Sequence, residues 1–388
     1  MEKQPKPFGK EDNEFFSPHL TKLQKYRKIF FLLLGFIAFN LFVWGTLYYT
    51  IVLQSGKNDG VTKNTENNFS DLNKIEAKTE ESGVAPTPFP FQEMTIPYLS
   101  SREYRSSLGD LNQSVENSSY TGYLTSYDSD GFKINGFLTT PKGNMPDDGW
   151  PAIVFVHGYI PPNSYKTLEN YSAYVDFLAK NEFVVFKIDL RGHAESEGEA
   201  GGSYYSGDYI IDTLNARAAL KNSNFVNPEK IGLWGHSMAG NVVSRAMGAD
   251  SQIPAVAIWA GAVYTYEDFS DFRIQDSSYQ PPAQDSEVRN KREELFQIHG
   301  NFDKNSQFWK QVPVTNYLNN IKGAISIHHA VDDAVVSIEY SRNFKQLLDE
   351  SGVENELIEY SNGGHNISGN SFNQAMQNTV DFFKKHLN

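Results

Sequence analysis

No cysteine occurs anywhere in the 388 residues. That absence removes thiol nucleophiles, thiolate metal ligands and disulfides together, and it leaves the cellular compartment open. Positive charge is also scarce. Thirty-four Lys and Arg face 47 Asp and Glu, a formal net charge of −13. Phosphate backbones are bound by clustered basic surfaces, so nucleic acid is not an expected partner. No internal repeat is visible, which sets aside solenoids and propellers built from the chain itself. Histidines and carboxylates do not recur at metal-ligand spacing, and no cofactor is expected.

Charge is missing altogether from Ile29 to Leu53, a run rich in Phe, Leu and Ile. At about 1.5 Å per residue this run crosses a hydrocarbon core of roughly 30 Å. Lys22, Lys25, Arg27 and Lys28 crowd its N-terminal side, while Lys57 and Asp59 nearly balance on the other. Basic flanks stay in the cytoplasm, so residues 1–28 are expected inside and the bulk of the chain outside, held at the plasma membrane by one transmembrane helix over 29–53. A cleaved signal peptide is the alternative. Its apolar core is shorter and ends in small residues, whereas Gln54-Ser55-Gly56 follows here. Residues 54–92 are polar, with Pro86, Pro88 and Pro90 at alternate positions, and read as a disordered stalk. The folded domain is then expected over 93–388.

Within that domain, paired strands are expected at Tyr120–Tyr127 and Phe132–Thr140 around an Asp-Ser-Asp-Gly turn. Short apolar runs then alternate with helical patterns. Strands are expected at Ala152–Val156, Phe183–Ile188, Ile231–Trp234, Ala255–Ala260, Ala324–His328 and Glu356–Tyr360. Helices fall between them, including Asp208–Lys221, with Ser337 able to cap another and residues 370–387 forming the last. This rhythm predicts an α/β fold, a mostly parallel sheet with helices on both faces. Residues 264–320 break it, and read as a lid or cap inserted between two strands.

The strand Ile231–Trp234 runs into Gly235-His236-Ser237-Met238-Ala239-Gly240, followed by a helical stretch. A serine between small residues at a strand-to-helix turn has the form of a nucleophile elbow, with Ala239 where the usual pattern has glycine. Such a hydroxyl needs a base, an orienting acid and an oxyanion site. In this arrangement the acid and then the histidine follow the serine in the chain. Asp332 and Asp333 lie just past one predicted strand and cannot be separated on chemistry alone. His365 follows the last strand in the glycine-rich loop Gly363-Gly364-His365. The remaining histidines, His328 and His329 among them, read as structural. Val156-His157-Gly158-Tyr159 ends another strand, so the backbone N–H groups of Tyr159 and Met238 make a two-donor oxyanion hole.

Taken together, these segments resemble the α/β-hydrolase superfamily, and within it the prolyl oligopeptidase-like and dienelactone hydrolase-like serine hydrolases. The resemblance covers about residues 120–388. It rests on His157-Gly158-Tyr159, Asp189-Leu190-Arg191-Gly192-His193-Ala194-Glu195-Ser196, the Ser237 elbow, and the Asp332 and His365 loops. Ala194 and His329 stand where the family pattern has glycine. The resemblance implies an α/β-hydrolase fold and a Ser237, Asp332, His365 triad, with Asp332 as the acid. The implied reaction cleaves a peptide or ester bond of a small-molecule or short peptide substrate through an acyl-enzyme. A carboxylesterase is the alternative within this class, and a non-catalytic, membrane-tethered binding protein the alternative outside it. Glu267, Asp268 and Asp271 in the lid offer candidate partners for a free amino terminus, against the plainer reading of a solvated acidic surface. Residues 93–150 are too few for the β-propeller that larger family members carry before the core.

Overall fold

The computed structural model describes residues 88–387. Among them no helix is long and apolar enough to cross a membrane. The expected cytoplasmic tail, the segment 29–53 and the stalk as far as residue 87 lie outside the described residues.

The strands are β1 (Asn112–Glu116), β2 (Tyr120–Ser129), β3 (Phe132–Pro141), β4 (Trp150–Val156), β5 (Val184–Ile188), β6 (Val226–His236), β7 (Ala255–Trp259), β8 (Ala324–Ala330) and β9 (Asn355–Tyr360). They form one sheet in the order β1-β2-β3-β5-β4-β6-β7-β8-β9. Pairing is antiparallel from β1 to β5 and parallel from β5 through β4 to β9. The helices are α1 (Ile96–Ser101), α2 (Ser172–Ala179), α3 (Asp208–Lys221), α4 (Met238–Ala249), α5 (Tyr266–Asp271), α6 (Glu287–His299), α7 (Glu339–Glu350) and α8 (Phe372–Leu387).

Successive side chains of a strand point to opposite faces, so a continuous apolar run feeds two cores. Val154, Val156, Leu233, Val256 and Ile258 pack with α3, α4 and α7, through residues such as Leu214, Val242 and Phe344. Their neighbours Ile153, Phe155, Trp234 and Ala257 pack with α2 and α8, through Leu178, Met376 and Phe383. Burying each such side chain contributes about 1.5–3 kcal/mol. The expected doubly covered α/β sheet is therefore present. Helix α3 departs from the amphipathic pattern. Every residue from Tyr209 to Leu220 is buried, because the β2–β3 hairpin covers its outer side, with the Tyr127 hydroxyl donating to the Asp212 carbonyl at 2.9 Å.

Residues 89 and 90, expected in the stalk, pack against the domain. Phe89 meets Phe308 edge-on at 6.5 Å, His299 Nε2 lies 2.9 Å from the Pro90 carbonyl, and buried Met94 gives its carbonyl to Arg245. The break at 264–320 holds α5 and α6 with 3₁₀ turns and a small core of Leu295, Phe308, Trp309 and Val312. Its segment around Ile274 bridges to Val336, and the Gln275 N–H donates to Val335 at 2.7 Å. The insertion is thus strapped beside the loop that follows β8.

Ala194, where the family pattern has glycine, keeps the glycine conformation with φ of 47°. Left-handed backbone costs an L-residue roughly 1–2 kcal/mol, and a glycine loses about 0.4–1 kcal/mol more chain entropy on folding. Ala194→Gly is therefore expected to stabilise the domain by roughly 0.5–1 kcal/mol. The urea midpoint should rise with an unchanged m value; a fall would show that the alanine methyl is needed for packing.

Candidate active site

The parallel registers bring the loops to one rim. Val156 pairs with Gly235, His236 with Trp259, Trp259 with His328, and Ala330 with Tyr360. Tyr159 and Met238 each lie three residues past that first pair, just beyond the ends of their strands. The loops after β8 and β9 leave the same carboxyl edge, the edge at which such sheets gather ligands.

Ser237 alone separates β6 from α4, with φ of 55° and ψ of −120°. A non-glycine residue there costs about 1–3 kcal/mol and persists only when its surroundings fix it. Its N–H donates to the Trp259 carbonyl at 2.8 Å, and its own carbonyl accepts the Gly240 N–H at 2.9 Å. Small residues let the turn close: a Cβ on Gly240 would stand 2.7 Å from Gly261 Cα. Ala239 lies fully buried in α4 and needs no positive φ, so the departure from glycine there is accommodated. Among the described residues no hydrogen bond occupies the N–H of Met238 or of Tyr159.

His365 stands in a 3₁₀ turn after β9, with Gly363 and Gly364 at φ of 129° and 59° ahead of it. Its Nδ1 lies 2.8 Å from Asp333 Oδ2. Asp333, not Asp332, is therefore the carboxylate on the imidazole, which corrects the assignment implied by the family pattern. The Asp332 side chain instead accepts the N–H groups of Gly364 at 2.8 Å and Gly363 at 3.3 Å, shaping the loop from outside. The turn after Ala330 explains the split: it leaves Asp332 exposed and folds Asp333 inward.

Asp333 is held from every side. Oδ1 accepts the N–H groups of Val335 at 2.8 Å and Val336 at 3.1 Å, and His329 Nε2 lies 3.1 Å from Oδ2. Burial alone would raise this carboxyl, but the hydrogen bonds from His329 and His365 outweigh it and hold the group well below the usual carboxylate range. His329, read as structural, is thus the acid's second partner, with its Nδ1 2.7 Å from the Ser341 hydroxyl. It fills the position where the family pattern has glycine, and that departure was its only signal in the sequence.

Among the described residues neither Ser237 Oγ nor His365 Nε2 is hydrogen-bonded within the protein. Catalytic hydrogen bonds commonly tighten only when substrate is bound. The His365 loop is nevertheless tied to the residue preceding Ser237, since the His236 and His365 rings lie 4.7 Å apart. Tyr159 faces the insertion, its hydroxyl accepting the Gln280 N–H at 2.9 Å and its ring 5.4 Å from that of Tyr279. The acids considered for an amino terminus are engaged elsewhere. Asp268 closes a capping box with Thr265 and takes Asn343, Glu267 pairs with Lys304 at 2.6 Å, and Asp271 accepts the Ser270 hydroxyl at 2.9 Å.

The model of the prolyl oligopeptidase family matches residues 169–388, more than half of the chain and all of the elbow, acid and base loops. The chain belongs to the prolyl oligopeptidase family. It is 24% identical over 243 residues to the uncharacterized peptidase YuxL of Bacillus subtilis, covering 62% of this chain and 34% of that one. The chain spans about a third of the length of the first curated relatives it matches. Among solved structures, the dipeptidyl peptidase 4 of Porphyromonas gingivalis superimposes with a TM-score of 0.52 at 16% identity, over 69% of this chain and 36% of that one. Acetyl xylan esterase 1 of Thermoanaerobacterium sp. gives 0.51 at 17% identity, over 76% and 95%. At these identities the structural likeness is one of fold.

Proposed function

We propose that this prolyl oligopeptidase-family protein cleaves the peptide or ester bond of a small substrate through Ser237, His365 and Asp333. The observation that carries this is the 2.8 Å contact between His365 Nδ1 and buried Asp333, on a loop tied to the elbow that presents Ser237. His365 Nε2 takes the proton from Ser237 as the oxygen attacks the carbonyl carbon. The Tyr159 and Met238 N–H groups hold the oxyanion, a pair able to contribute several kcal/mol. Asp333 keeps the proton on Nδ1 and stabilises the imidazolium. The imidazolium then protonates the leaving group, and water repeats the steps on the acyl-enzyme. The occupied lid acids weigh against recognition of a free amino terminus. Purified protein assayed side by side on short acyl esters and N-blocked aminoacyl amides is expected to turn over at least one class. Turnover of neither by folded protein sinks the reading.

We also propose that residues 29–53 anchor the chain in the plasma membrane, with the hydrolase domain outside. Support comes from the uncharged run and its basic N-terminal flank. Protease added to intact cells is expected to reach the domain; a fully protected domain reverses the orientation.

A further inference from the structure

His236, the last residue of β6, is buried and engaged at both ring nitrogens. Nε2 lies 2.9 Å from the carbonyl oxygen of His365, and Nδ1 lies 2.7 Å from the hydroxyl of Tyr171. The same hydroxyl accepts the N–H of Gly158 at 3.0 Å. One placement of protons satisfies this chain. A carbonyl only accepts, so Nε2 carries the ring proton and Nδ1 is bare. The Tyr171 O–H therefore donates to Nδ1, which leaves its oxygen free to accept from Gly158. Burial, with the neighbouring His365 charge second, pushes the His236 pKa down to about 3, so the ring stays neutral at working pH.

These bonds join two loops distant in sequence. Gly158 directly precedes Tyr159, the oxyanion donor, and the His365 carbonyl belongs to the base. We infer that Tyr171 and His236 form a hydrogen-bonded strut that sets the oxyanion loop against the base loop, making both positioning residues for hydrolysis. The inference rests on the Ser237–His365–Asp333 reading above.

Four further features agree with it. Tyr171 is held at φ of 61°, ψ of 16°, a conformation that costs a non-glycine residue energy and marks a position fixed by its surroundings. Lys187 Nζ, buried in the sheet, donates to the Asn170 carbonyl at 2.7 Å and clamps the backbone just before it. The Tyr171 ring also meets Phe155 and Trp234 edge-on at 5.5 and 6.0 Å. Finally, the strut passes where a side chain on residue 158 would stand: a Cβ there would lie 2.8 Å from the Tyr171 hydroxyl and 3.0 Å from His236 Nδ1.

Neither residue touches the reacting atoms, so loss of the strut should act on turnover through geometry. A displacement approaching 1 Å costs about a hundredfold. Tyr171→Phe, His236→Phe and the double variant are compared with wild type on the ester or amide it turns over. Rates are expressed per active site titrated with a fluorophosphonate, so unfolded protein does not count. Tyr171→Phe is expected to lower kcat by about 10- to 100-fold with KM within about threefold, and the double variant should be no worse than the poorer single one. Tyr120→Phe, which deletes a hydroxyl bonded to Asp176 away from the rim, is the control and should keep wild-type kcat. A kcat for Tyr171→Phe within threefold of wild type, or losses that multiply in the double variant, overturns the strut alone. A wild-type protein unlabelled at Ser237 overturns the triad reading and the strut with it.

Discussion

Replacing Asp333 by asparagine is expected to lower kcat about ten-thousand-fold, with KM little changed, because an orienting carboxylate lost from such a triad leaves the wrong tautomer facing the serine. The amide would offer Nδ1 a donor or a weak acceptor in place of a charge. Nothing then stabilises the imidazolium that forms as Ser237 loses its proton. Asp332→Asn should behave differently, since its side-chain oxygen still accepts from Gly364. Asp332→Ala removes the acceptor for two glycine N–H groups on an exposed loop, and about 1–2 kcal/mol of lost positioning, roughly tenfold in kcat, is expected. Steady-state kinetics on the three variants decides the assignment. A loss at Asp332→Asn that equals the loss at Asp333→Asn would return the acid's role to the neighbour.

The fold should lose stability steeply on mild acidification. His236 and His328 are both fully buried, and burial is the leading cause that lowers each pKa to about 3. His328 lies between Ser326, Tyr360 and Thr379, at 2.9, 2.9 and 3.3 Å, with no acid touching the ring. An unfolded histidine titrates near 6.5. Between about pH 6.5 and pH 3 the unfolded chain binds a proton at each site that the folded chain refuses, so stability rises with pH through this window. The contribution is complete above about pH 6.5 and drains at about 1.4 kcal/mol per pH unit for each ring. Lowering the pH from 6.5 to 5 should thus cost roughly 3 kcal/mol from the pair, since the slope is only half developed at pH 6.5. Asp333 acts lower still: its folded pKa is depressed, so its stabilisation holds above the ordinary carboxylate range and goes as pH falls through it. Urea unfolding at pH 7.5, 6.5, 5.8 and 5 measures the slope. His328→Gln should flatten it by about 1.4 kcal/mol per pH unit, the remainder coming from His236 and from His157 and His193, which burial also holds low; a midpoint constant from pH 7.5 to 5 contradicts the buried neutral assignment.

Much of this architecture is legible from local pattern, for reasons that can be named. β4, β5 and β7 are short apolar runs because both of their faces are covered, and α3 falls at Asp208–Lys221 as expected from its sequence. The β2–β3 hairpin follows from alternating residues on either side of a turn. β1 was invisible because Asn112–Glu116 is polar and mostly exposed, and joins the sheet through backbone pairing to β2 alone. α1 was equally unmarked: six residues around a proline, held by contacts with α4 that no local period reports. At the rim, order along the chain singles out Ser237 and His365 as candidates, and the two glycines before His365 explain how its loop turns back. It was not enough to choose between adjacent carboxylates. Asp332 and Asp333 differ only in which way a tight turn points them, and that depends on Val335, Val336 and His329, a set assembled by the fold. The strut through Tyr171 is likewise a product of three separate strand ends meeting.

The central claim, that Ser237 is activated by His365 with Asp333 behind it, is tested most directly by a fluorophosphonate probe on folded protein, with the labelled peptide identified by mass spectrometry. The account predicts stoichiometric labelling at Ser237, abolished in His365→Ala, slowed at least a hundredfold in Asp333→Asn and nearly unchanged in Asp332→Asn, by the same triad arithmetic (about two decades or more for a lost member). Folded wild-type protein that stays unlabelled, or that carries the probe on another serine, contradicts it.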